Sequence, residues 1–159
     1  MSNIPGVGQS GDYFGWGAAF PESVAVVFAT LSDPTESAVP YTAVAVNGDP
    51  TTLLVNSGTT RVFSNGGTWY CWVDYNGGSQ TLEIRLSSTS TRPRLAMIET
   101  SINLYNTLLQ PEMYLGFGAG SSSSYSLPTI HSWSFSVNQI DDSEFCLLLL
   151  LCFSFSSLL

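Results

Sequence analysis

Residues 69–87, reading WYCWVDYNGGSQTLEIRLS, constrain the fold more than any other stretch of the chain. Trp69, Cys71, Val73 and Tyr75 alternate with Tyr70, Trp72 and Asp74, a period of two that sends the two sets to opposite faces of a strand. Asn76, Gly77, Gly78 and Ser79 follow, and Asn and Gly tolerate the positive φ of a tight reversal. The alternation then resumes, with Leu82, Ile84 and Leu86 on one face and Glu83 and Arg85 on the other. The expectation is an antiparallel hairpin with one core face and one wetter face.

The rest of the chain has the same grain. Residues 23–31 form a nearly continuous run of small and β-branched apolar residues between Pro21 and Pro34. Strands are expected at 41–47 and 51–55, separated by the turn sequence Asn47-Gly48-Asp49-Pro50. Further strands are expected at 95–98, 113–119 and 131–137, whereas 101–109 fits either a short strand or one helical turn. No segment sustains a helical period. Short strands broken by Gly, Pro, Asn and Ser predict an all-β fold, an antiparallel β-sandwich or jelly roll. The predicted sandwich occupies residues 1–140. Residues 141–159 form an acidic linker and an apolar tail, FCLLLLLCFSFSSLL. The tail is shorter than the roughly 20 residues of a membrane-spanning helix and has no flanking Lys or Arg. Its role, a membrane anchor included, is left open.

Composition narrows the function. The 159 residues include four Lys+Arg, all arginine, against twelve Asp+Glu, for a formal net charge of −8. Nucleic-acid binding needs a basic footprint, and this chain has none. Hydrophobic residues at 44% and aromatics at 13% place the chain far from disorder. Three cysteines make no disulfide framework, and no CxxC or Cys/His cluster suggests structural zinc. Cys71, inside an alternating strand, is expected to be a small buried hydrophobe. Residues 1–11 are polar and do not have the pattern of a signal peptide. A native start and a start partway through a longer protein both fit.

Three stretches carry a resemblance. SVAVVFAT (23–30), the hairpin of residues 69–87, and YLGFGAGSSSSYSLPTIHSWSF (114–135) together resemble the later part of the legume-type (L-type) lectin domain, of the concanavalin A-like lectin/glucanase superfamily. The resemblance spans about residues 11–137. It implies a concanavalin A-like sandwich whose earlier strands, one with a sugar-binding Asp, would precede Met1. It further implies a carbohydrate-binding protein that meets glycans or glycoproteins outside the cell or at its surface. Homo-oligomerisation is left open.

The same resemblance implies a calcium and a transition-metal ion beside a shallow sugar pocket, and calcium requires several oxygen ligands. Carried over residue by residue, the family's Glu falls on Val27, its Asp on Ala29 and its His on Tyr41. Asp33 stands where an Asn binds both calcium and sugar, and Glu36 lies near a later Asp. Both also read as ordinary loop acids. No cofactor is therefore expected. At the sugar positions, Asp12 replaces a glycine that lets backbone approach the ligand, and Ser123 and Ser124 fall in the specificity loop. Tyr13, Trp16 and Tyr125 are candidate stacking platforms, while Trp133 is expected in the core. His131 reads as a structural residue.

A glycoside hydrolase of the same fold needs two carboxylates flanking the scissile bond. No strand bears Glu-x-Asp. Asp74 and Glu83 are each alone on their strands, although the hairpin can bring them close. The chain is accordingly expected to be a lectin-like carbohydrate-binding module with degenerate metal and sugar sites, not an enzyme. A lectin-like interaction domain that no longer binds sugar is the alternative.

Overall fold

A computed structural model of the protein describes residues 22–29, 41–47, 49–58, 63, 65–108, 114–119, 126–141 and 144–157. The elements in chain order are β1 (Val24–Ala29), β2 (Tyr41–Val46), β3 (Asp49–Gly58), β4 (Asn65–Asn76), β5 (Thr81–Ser87), β6 (Ile98–Ser101), α1 (Leu104–Leu108), β7 (Ser126–Asp141) and β8 (Glu144–Ser157). Every strand pairing is antiparallel. The all-β antiparallel class read from the sequence is the class observed. The chain divides into two compact units, one of Met1–Thr59 with Tyr105–Tyr125 and one of Thr60–Leu104 with Ser126–Leu159.

The first unit holds a three-stranded sheet, β1-β2-β3. Its central strand, YTAVAV, is buried at all six positions. A middle strand covered on both faces needs largely apolar residues, and this run supplies them, with hydroxyls only on Tyr41 and Thr42. Asn47 makes the turn into β3 at a φ of 59°, a left-handed conformation that Asn adopts more readily than most residues. Its N–H donates to the Ser23 carbonyl at 2.8 Å, closing the β1 end of the sheet.

The second unit holds a five-stranded sheet in the order β6-β5-β4-β8-β7. The expected hairpin is present, with Tyr75 opposite Leu82, Val73 opposite Ile84 and Cys71 opposite Leu86. Ser79 N–H donates to Asn76 Oδ1 at 3.0 Å, so the Asn side chain shapes the reversal. The positive φ falls on Gln80, at 55°, and not on the glycine pair. Leu82, Ile84 and Leu86 are buried together with Trp69, Cys71 and Tyr75. Phe63 meets Trp69 edge to face at 5.4 Å, and Leu104 N–H reaches the Tyr75 hydroxyl at 3.4 Å.

Several expected elements are corrected. The strand expected at 95–98 begins at Ile98, and Leu95, just after Pro93, is 81% exposed. Residues 101–109 resolve into β6 ending at Ser101 and one helical turn. Residues 114–119, expected as a strand, have no regular structure and are exposed. Gly116 and Gly118 weaken that stretch, since glycine has no side chain to pack and the most backbone freedom to lose. Trp133, expected in the core, is 53% exposed. It lies on β7, the edge strand of its sheet, so only one neighbouring strand flanks it. The apolar tail, whose role was left open, is a strand. It forms β8, which pairs with β4 on one side and β7 on the other.

Candidate functional site

The β1–β2 ladder positions the residues at the metal-ligand places of the resemblance. Ala25 pairs with Ala45, Val27 with Ala43 and Ala29 with Tyr41. Directly opposite residues of an antiparallel pair project from the same face, so these six side chains line one face of the sheet. Val27, Ala29, Tyr41, Ala43 and Ala45 form one buried cluster, with Ala25 packed against it. Tyr41 is 1% exposed and Ala29 3%, so the one large ring fills the space that the alanines leave. The sequence reading placed Val27, Ala29 and Tyr41 at separate ligand positions, and the fold brings the three together. None of them offers a carboxylate or an imidazole.

A second polar constellation lies on the wetter face of the hairpin. Asp74 and Glu83 stand directly opposite each other, and Glu83 in turn faces Glu99 on β6. Three carboxylates thus run straight across three strands, an arrangement that would repel if left uncompensated. Arg85 Nη1 donates to Asp74 Oδ2 at 2.7 Å and its Nη2 to Glu83 Oε1 at 2.9 Å. Arg92 Nη2 donates to the same Asp74 oxygen at 2.6 Å. The Arg85 and Asp74 side chains are 10% and 16% exposed, so this ion pair is largely shielded from water. Tyr70 and Trp72 stack beside it, with ring centroids 6.3 Å apart. The two carboxylates weighed for glycosidic cleavage are therefore engaged by guanidinium groups.

Cys71 lies on the opposite, core face of β4 and is fully buried. Burial pushes its thiol well above the ordinary value, and the negative charge of Asp74 adds to the shift. Neutral and enclosed, it is a packing residue.

The sugar-contact candidates Asp12, Asp33, Ser123, Ser124 and Tyr125 lie outside the described residues, as do Tyr13, Trp16 and Glu36. The residues on either side of 120–125, the segment matched to a specificity loop by the resemblance, are among those described. Tyr114 is 76% exposed and Phe117 44% on the approach to the loop, and β7 begins at Ser126 beyond it. The sequence reading placed Tyr114 and Phe117 in a strand expected at 113–119. The glycines interleaved with them were the signal that this stretch need not be a strand. His131 is exposed on β7.

The family model described as the legume lectin domain matches residues 15–145. The L-type lectin-domain containing receptor kinase VIII.1 of Arabidopsis thaliana is 26% identical over 116 residues, covering 71% of this chain and 16% of that protein. The chain thus spans about a sixth of the length of this relative. No solved structure matches it.

Proposed function

Because the chain belongs to the legume lectin domain family, a non-enzymatic carbohydrate-binding fold, we propose that it is a carbohydrate-binding module whose metal and sugar sites depart from the family pattern. The family match over residues 15–145 carries this reading. Its glycan partner meets it outside the cell or at the cell surface, a placement supported by the likeness to a receptor kinase's lectin domain. The contact zone is the loop between Ala119 and Ser126, with Ser123, Ser124 and Tyr125, together with Asp12 and Asp33. Tyr114 and Phe117 border that loop as exposed aromatics, and an aromatic face suits the apolar side of a sugar ring. Catalysis is no part of the proposal: Asp74 and Glu83 are both ion-paired to Arg85, which lies between them, whereas a hydrolytic pair must flank the scissile bond.

The test is a glycan array probed with the purified, folded chain. Saturable binding to a defined set of glycans is the expected result. An empty array from a sample with a cooperative unfolding transition would leave the second reading, a lectin-like interaction domain without sugar binding. The apolar cluster at Val27, Ala29 and Tyr41 favours that alternative over any other.

A further inference from the structure

We infer that the face of the β1–β2 ladder on which the family resemblance implies a metal pair has been rebuilt as hydrophobic core, so that this domain folds without divalent cations. The inference rests on the family reading above for the place of the metals, but its physical content comes from the ladder itself. Three alternate cross-strand pairs, Ala25–Ala45, Val27–Ala43 and Ala29–Tyr41, put apolar or aromatic side chains on that one face. Five of the six are buried in a single cluster. A calcium ion takes six to eight oxygens, commonly including carboxylates, and a transition ion takes imidazole or carboxylate. This donor set does not fit either ion.

The replacement is coordinated and not a simple loss of ligands. Had only the acids been removed, the face would show gaps or unpaired polar atoms. Instead Val27, Ala43 and Ala45 are 6%, 0% and 0% exposed, and Tyr41 is 1% exposed beside Ala29. Small residues on both strands leave room for one ring, and the ring occupies it, as close packing requires. Apolar burial thus holds together two strands that metal ligation would otherwise clamp. Restoring acids here would bury carboxylates in an apolar cluster, and a carboxylate so placed is forced toward its neutral form.

Thermal unfolding of the intact chain tests this, in chelator and again with calcium plus manganese, alongside the double variant V27E/A29D. The wild-type transition is expected at the same temperature in both solutions. A site occupied at a hundredfold excess over its dissociation constant would instead raise Tm by about 5–10 °C in a domain of this size, and such a rise would overturn the inference. The double variant is expected to unfold at lower temperature, equally in both solutions. Recovery of its stability on adding the ions would show that the remaining ligands still stand in place, which also overturns it. Absence of glycan binding with cation-independent unfolding would defeat the carbohydrate reading alone. Cation-stabilised unfolding with glycan binding would defeat this inference alone.

Discussion

Asp74 receives two guanidinium groups on a single oxygen, and the two contacts differ in worth. Arg85 is shielded, whereas the Arg92 side chain is 44% exposed. Removing Asp74 takes from the buried Arg85 the better shielded of the two carboxylates it pairs with. It leaves Glu83, whose side chain is 33% exposed, so the Arg85 charge is less well compensated. Asp74→Ala should therefore cost about 2–4 kcal/mol in denaturant unfolding, while Arg92→Ala should cost less than about 1 kcal/mol. Equal effects would mean that the burial of Arg85 contributes nothing. Cys71 gives a pH prediction. Its pKa is raised in the fold from 9.0, so folded and unfolded chains bind the same proton below that value. Above it the unfolded thiol ionises and the folded one does not, and stability falls as pH rises. The loss approaches about 1.4 kcal/mol per pH unit. Wild type should thus lose more stability than Cys71→Ala between about pH 8 and pH 10. Parallel losses would contradict the assignment. At this scale Cys71 was legible, because strand alternation alone placed it inward. Trp133 was not, since alternation names a face but does not say what covers it.

Among the elements, the β4–β5 hairpin was legible because its period and its turn residues agree. The tail was not. A run such as CLLLLLC has no alternation, and periodicity cannot separate a buried strand from a buried helix in it. Its place as β8 depends on partners far away in sequence. Ten residues of β4 and fourteen of β7 pair with it, so deleting residues 144–159 would expose the backbone edges of both strands. Unpaired edges invite association between chains. The truncated protein is expected to aggregate or to unfold at lower temperature, measured by light scattering and thermal melting. A monodisperse truncation with unchanged Tm would show that β8 adds nothing to the sheet. Residues 114–119 show the opposite failure. Tyr114, Leu115 and Phe117 look like strand residues by type, but the glycines among them leave the segment without a pleat to pack, and no strand forms there.

For the whole molecule, fold and family were readable from three motifs in order, and the family match at residues 15–145 agrees with them. The candidate site was legible only in part. The loss of ligand types at Val27, Ala29 and Tyr41 could be read position by position. That these residues close into one buried cluster could not, because it depends on the register that sets Ala29 against Tyr41. A sheet face packed in this way offers neither carboxylate nor imidazole to an ion, and sugar recognition is accordingly proposed to run through loop and aromatic contacts, independent of metals. The most direct measurement is a calorimetric titration of the folded chain with the glycan that binds best on an array, performed in chelator and in calcium plus manganese. The account predicts saturable heat with dissociation constants that agree between the two solutions. Binding that disappears in chelator, or no heat in either solution, would contradict it.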